Sequence, residues 1–183
     1  AAPSPAPELY SGNIIWYFRK IRGKIVAGDF NARFGQGLAQ WNGMFMTSLD
    51  TPDAFMKKPS GISGTWSFTG SSALTGVAAE TTAGRLKITA MMAVPGVKDM
   101  KRHPEKVTLL PAANLTYLTR YGHASMTYAG SKVSIDEAFC IRGVNLFSEA
   151  AYDFVERRMA AVCGTQFNAS EKLRLASLAR YCP

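Results

Sequence analysis

Few residues in this chain have the type and spacing that chemistry requires. Its two histidines, His103 and His123, have no carboxylate or cysteine at ligand spacing beside them, and a bound metal needs several such donors brought together. Cysteines are three in number, Cys140, Cys163 and Cys182, and no CxxC occurs. An odd count without paired spacing argues against both a disulfide framework and a zinc site. Cys163, between Val162 and Gly164, is expected to be a buried, inert thiol within a strand. Asp136 and Glu137 are adjacent acids, but neighbours on a strand face opposite sides and cannot serve one substrate as acid and base. There is no GxSxG, and neither histidine has an evident nucleophile and acid to work with. Gly35-Gln36-Gly37 carries two glycines of a phosphate-binding loop, but the full G-x-G-x-x-G is missing and no helix clearly follows. It reads instead as a glycine-rich strand end where the backbone turns sharply. Asn114-Leu115-Thr116 and Asn168-Ala169-Ser170 match glycosylation sequons and fall within or at the end of predicted strands. These residues predict no enzyme, no cofactor and no metal.

The surrounding sequence predicts β structure. The 183 residues suffice for one sizeable domain; 47% are hydrophobic and only 19% charged, with abundant glycine and aromatic residues, a composition suited to strands and tight turns. The net charge of +8 admits a nucleic-acid partner. However, the basic residues (Arg19, Lys20, Arg22, Lys24, Lys57, Lys58) are scattered through predicted turns rather than gathered on one stripe, and such positions also suit anionic lipid headgroups. No apolar run approaches the ~18 residues of a spanning helix.

Alternation with a period of two is the dominant pattern. Val26, Gly28, Phe30, Ala32 and Phe34 fall on one face of a predicted strand over Lys24–Phe34, with Ala27, Asp29, Asn31 and Arg33 on the other. Asn13–Phe18 precedes it as a hairpin partner. A second hairpin is predicted from Ala73–Thr81 and Arg85–Val94, where Leu86, Ile88, Ala90, Met92 and Val94 share a face opposite Lys87 and Thr89. A third joins Ala113–Arg120 to His123–Ala129; Leu115 and Tyr117 alternate with Asn114 and Thr116, and Ala124, Met126 and Tyr128 with Ser125 and Thr127. Two long connections, Gln36 to about Ser72 and Pro95 to Pro111, interrupt these short turns. Such alternation of short turns and long loops is what a transmembrane barrel shows on its two sides, though a soluble sandwich can share it. The last third has two readings. Ser148–Val162 has apolar residues at helical spacing and helix-favouring propensity, with Ser170 as a cap for a second helix. Alternatively, Val144–Phe154 pairs with Met159–Ala169, followed by a strand over Leu173–Tyr181.

The run Gly28-Asp29-Phe30-Asn31-Ala32-Arg33-Phe34-Gly35-Gln36-Gly37-Leu38, followed by Trp41, resembles a family of outer-membrane β-barrel proteins of Bacteroidota, some of them associated with helix-hairpin-helix modules. Lys58-Pro59-Ser60-Gly61-Ile62-Ser63, Ser67 to Gly76, Asn145 to Ala151 and Leu175 to Tyr181 are also similar to that family, so the resemblance spans roughly Gly23 to Tyr181. It implies a hairpin rather than helices in the last third. The chain departs from the family in lacking the helix-hairpin-helix region, in being shorter than its barrels, and in ending Arg180-Tyr181-Cys182-Pro183. A closing strand there commonly ends in an aromatic residue.

The expectation is therefore an all-β, antiparallel up-and-down meander of about eight to ten strands, forming a transmembrane β-barrel or part of one. Residues 1–12 are a flexible lead-in and 13–183 a single, incomplete barrel domain. In the membrane, the apolar set of Val26–Phe34 would face lipid. Asp29, Asn31, Arg33, Glu149 and Asp153 would face the lumen, because unpaired polar groups in hydrocarbon cost several kcal/mol each. Phe34, Gly35, Gln36, Gly37, Leu38 and Trp41 form the family-like motif, with Gln36 and Trp41 packing the loop at the membrane rim. The implied role is a channel or structural barrel in the outer membrane of a Gram-negative bacterium. Its partners would be membrane lipid and other outer-membrane proteins. The alternatives are a DNA-uptake component, and a soluble β-sandwich or α+β binding module.

Overall fold

The computed structural model describes residues 11–42, 56–65, 73–95, 108–170 and 173–182; most of the expected lead-in and most of the two long connections lie outside these ranges. Among the described residues there is no helix and no second sheet. All strands join one antiparallel sheet of eleven: β1 (Asn13–Phe18), β2 (Gly23–Arg33), β3 (Gly61–Gly64), β4 (Leu74–Ala83), β5 (Leu86–Pro95), β6 (Leu110–Leu118), β7 (Gly122–Ala129), β8 (Lys132–Ile141), β9 (Val144–Asp153), β10 (Arg158–Ser170) and β11 (Leu173–Tyr181). Apart from β3, which pairs only with β2, they follow an up-and-down meander in chain order. Sandwich and α+β architectures are thereby excluded. The last third is β9, β10 and β11, as the family resemblance implied. Helix propensity lost there because Leu146, Ala150 and Tyr152 alternate with Asn145, Glu149 and Asp153, and only strand pairing separates these two sets cleanly.

The two ends of the sheet differ. On one end the connections are short: 19–22, 84–85, 119–121, 142–143 and 171–172. The 142–143 turn has positive φ at both Arg142 (51°) and Gly143 (81°), the backbone of a two-residue turn whose twist matches that of its flanking strands. On the opposite end lie the long connections 34–73 and 96–109, beside the shorter 130–131 and 154–157.

From β4 to β10 the sheet is inside-out relative to a soluble protein. One face is exposed and apolar, carrying Val77, Ile88, Met92, Leu115, Tyr117, Met126, Tyr128, Ile135, Leu146, Tyr152 and Met159. Among the described residues of these outward rows, Glu137 alone is charged. The other face is buried and largely polar, carrying Thr89, Asn114, Ser125, Thr127, Ser134, Asp136, Glu149 and Gln166. In β5, β6, β7 and β9 the two sets are those the alternation predicted; β8 has no counterpart among the predicted strands. A lone sheet can bury one face only by curling around whatever covers it, and the cover here comes from the chain's own residues 33–42 and 56–62. The sheet is not closed: no ladder joins β1 to β11 among the described residues, and both edge strands are largely exposed.

The expected lipid-facing set in β2 is corrected. Phe30 is 0% exposed and Phe34 3%, and both belong to an interior cluster with Val26, Ala32, Ile62, Leu74, Met91 and Ala112. The reason lies first in the register of β2: Val26 is opposite the buried Ala78 and Phe30 opposite the buried Leu74, so this set already faces the concave side along the ladder with β4. Its ladder with β4 ends at Phe30↔Leu74, just after Gly28 at φ 106°, and from there it pairs with β3. Gly61, the partner of Arg33, lies against Glu80 and Lys87, whereas Glu80 is opposite Lys24. Nine residues of straight strand would hold Lys24 and Arg33 about 30 Å apart. Beyond Phe30 the chain therefore doubles back across the concave face, carrying Ala32 and Phe34 inside as well.

Candidate functional site

The concave face and the segment folded onto it form the site. Strand pairing sets a row of inward side chains at one level: Lys87, Thr116, Ser125, Asp136 and Glu149, each opposite the next. Glu80 sits beside this row and takes two ammonium groups, Lys24 at 3.2 Å and Lys87 at 3.0 Å. Lys24 also donates to the Ile62 carbonyl at 2.6 Å, and Ile62 N–H donates to Glu80 at 3.3 Å. The charges of the sheet are thus tied to the returning ribbon.

The inserted loop is held by its backbone. Phe34 N–H donates to the Gln40 carbonyl and Asn42 N–H to that of Ala32, closing the loop on itself. Leu38 and Ala39 then direct adjacent backbone N–H groups at the buried Glu149 carboxylate, at 3.1 and 3.3 Å. Successive N–H groups converging on one anion form a small concave cradle; here the anion belongs to the protein and acts as a latch. Gly35, at φ 54°, shows why a side chain is excluded from this position. A Cβ there would stand 2.9 Å from the Glu149 carboxyl and 3.0 Å from that of Asp136, so the motif's first glycine lets backbone pass two carboxylates.

Gln36 and Trp41 pack the loop as expected, but from inside the curled sheet rather than at its rim. Gln36 is buried and pairs with the Lys57 backbone through both ends of its amide, at 2.9 and 3.1 Å. Two cations stand over the Trp41 ring, Lys57 at 5.0 Å and Arg33 at 5.8 Å from its centre. Burial, with the Arg180 charge second, holds the Lys57 amine below the ordinary lysine range. Two cation–π contacts at partly covered positions predict that Trp41→Ala lowers stability by about 1–2 kcal/mol. Urea titration checks this, and an unchanged midpoint would mean that the ring does not hold the loop.

The remaining expected lumen residues divide by position. Glu149 is on the buried face. Arg33 lines an interior cavity, and its Nε donates to the Asn42 carbonyl. Asn31 accepts from the Asn42 amide. Asp29 lies on the face of β2 opposite Phe30, at the bend, where it accepts from Thr75 Oγ1 at 2.6 Å and Gly12 N–H at 3.1 Å. Asp153 is half-exposed at the end of β9, where it receives the Val155 and Glu156 N–H groups and caps the turn. Cys163 is exposed rather than buried, because alternation puts it outward from its buried neighbour Val162; Cys140 and Cys182 are exposed as well. His103 lies outside the described residues.

Sequence spacing missed the polar cluster around Asp136. His123 Nε2 is 3.3 Å from Asp136 Oδ2, and Ser125 donates its hydroxyl to the other carboxylate oxygen. Asn114 reaches Thr127 Oγ1 at 2.9 Å. These residues come from different strands and meet only through the β6–β7–β8 register. The trio of serine, aspartate and histidine is not a nucleophilic triad. There the imidazole stands between hydroxyl and carboxylate and takes the hydroxyl proton, whereas here the carboxylate stands in the middle.

The cavity beside this cluster measures about 320 Å³ and is lined by Arg33, Phe34, Met56, Lys58, Lys87, Thr116 and His123, among others. No family model, curated protein or solved structure matches this chain.

Proposed function

We propose that this chain is an outer-membrane β-barrel protein, a channel or structural barrel without catalytic activity, whose lumen is occupied by its own residues 33–42 and 56–62. The observation that carries this reading is the inverted alternation from β4 to β10, with exposed apolar rows outside and buried carboxylates, amides and hydroxyls inside. In water, so broad an apolar surface is an aggregation liability. In a bilayer it is the required surface, and the polar interior is what spanning barrels of this kind enclose. Short turns on one end and the two long connections on the other accord with the same reading. In hydrocarbon the free edges of β1 and β11 must be paired, so the membrane form closes the sheet through strand pairing. The Gram-negative outer membrane is the compartment that the resemblance around Phe34–Leu38 implies.

Cys163 provides the test, since it projects outward from the middle of β10, whereas Cys182 lies beyond β11. In protein folded into lipid vesicles, a charged maleimide is expected to spare Cys163 until the protein is unfolded. A chain that stays monodisperse without detergent or lipid, and labels readily at Cys163, would overturn the membrane reading.

A further inference from the structure

We propose that the interior cavity is a binding site for a small organic anion, with its acid group held by Arg33, Lys58 and Lys87 and its apolar body against Phe34, Met56 and Leu118. The inference concerns the interior alone and does not depend on what surrounds the outer face.

The first support is charge. Arg33, Lys58 and Lys87 converge on this one cavity from three different parts of the chain: the ribbon end of β2, the segment leading into β3, and β5. Around it, Lys24 and Lys87 share a single carboxylate, Glu80, and Asp136 is engaged by His123 and Ser125. With the buried Glu149 opposite Asp136 also counted, four cationic side chains meet three carboxylates, leaving a net positive chamber even with His123 neutral. Low-dielectric walls focus such a field on an entering anion.

The second support is the hydrogen-bonding complement. Thr116, Ser125 and Asn114 line the same cavity; their own protons go to Asn114, Asp136 and Thr127, so they form a polar wall and the donors facing the anion are the cations. Arg33 spends its Nε on the Asn42 carbonyl, and the terminal nitrogens of a guanidinium suit the two oxygens of a carboxylate or phosphate.

The third support is size and polarity. At about 320 Å³ the cavity lies within the range of small-molecule sites, which combine apolar walls with a few placed polar groups. It is too large for a bare ion to fill, and Phe34, Met56 and Leu118 would gain by covering an apolar body.

The test uses the full chain, folded in detergent or, if it needs none, in buffer, with phenyl phosphate as probe and inorganic phosphate and benzyl alcohol as comparisons. Calorimetric titration at low ionic strength is expected to show saturable binding of phenyl phosphate. Inorganic phosphate should bind more weakly, because the apolar wall goes unused, and the neutral alcohol should give no saturable signal. Arg33→Gln and Lys58→Gln should each weaken phenyl phosphate binding about tenfold, the loss of one charge-assisted contact. Lys58 is exposed at the cavity edge, so its variant keeps the test readable if Arg33→Gln disturbs the loop. Absence of saturable binding to folded protein would overturn the proposal. So would binding that neither variant weakens, or equal binding of benzyl alcohol.

Discussion

Replacing Glu149 with alanine is expected to release the inserted loop. The carboxylate is 1% exposed and accepts the N–H groups of Leu38 and Ala39. Its removal leaves two backbone donors in the interior without their partner. A buried donor deprived of its acceptor costs about 1–3 kcal/mol, which puts the combined loss at roughly 2–5 kcal/mol. One effect runs the other way: Asp136 stands directly opposite Glu149, and removing one of two facing carboxylates relieves repulsion. The two N–H contacts outweigh that relief, because both are made by charge-assisted bonds. Glu149→Gln keeps an acceptor and the side-chain length, so its loss should be smaller, about 1 kcal/mol. Two measurements check this. Urea titration should show the alanine variant well below the glutamine variant. Limited proteolysis should cut the alanine variant between Gly35 and Asn42 at protease levels that spare the parent. If both variants unfold at the parent midpoint and resist cleavage equally, Glu149 is not the latch.

The second large effect belongs to the outer face. Ile135 is 64% exposed, within β8 and flanked in register by Met126 and Ala150. In a folded soluble protein an exposed isoleucine can become arginine at a cost within about 0.5 kcal/mol. On the lipid face of a barrel the same change costs about 2–4 kcal/mol near the bilayer midplane. Ile135→Arg is therefore expected to lower stability in lipid vesicles by that larger amount, while Ile135→Leu leaves it unchanged. Reversible denaturant titration in vesicles measures both. An arginine variant as stable as the parent would mean that this face does not meet hydrocarbon.

The positions that misled the sequence reading are instructive because they cluster. Phe30 and Phe34 obey the period-2 pattern that correctly placed Leu115, Tyr117, Met126 and Tyr128 outside, yet they lie inside. Alternation says which residues share a face and is silent on which face turns outward. In β5 to β7 one set was polar enough to settle the direction. In β2 the apolar set is the one in line with the buried residues of β4, Val26 with Ala78 and Phe30 with Leu74, and beyond Phe30 the strand leaves β4 for β3. Nothing local between Val26 and Phe30 says which of the two sets turns inward. The short strands and hidden pairings were missed for a related reason. β3 has four residues and no alternation to read, and β8 has Asp136-Glu137 at its centre, which resembles a turn as much as a strand. His123 and Asp136 are thirteen positions apart in sequence and meet at 3.3 Å only because β7 pairs with β8 in one particular register.

The amino-acid order was enough for the all-β antiparallel meander and for the two side-chain sets of β5, β6, β7 and β9. All of these follow from local alternation and turn chemistry, which act over a few residues. Tertiary structure alone decided the rest. The β2–β3 ribbon folds into the curl, Glu149 captures two backbone N–H groups from more than a hundred residues away, and cations from three segments gather around one cavity. Each depends on how far the single sheet curves and on what must fill its concave face. Curvature and filling are properties of the whole sheet, and no short window of sequence encodes them.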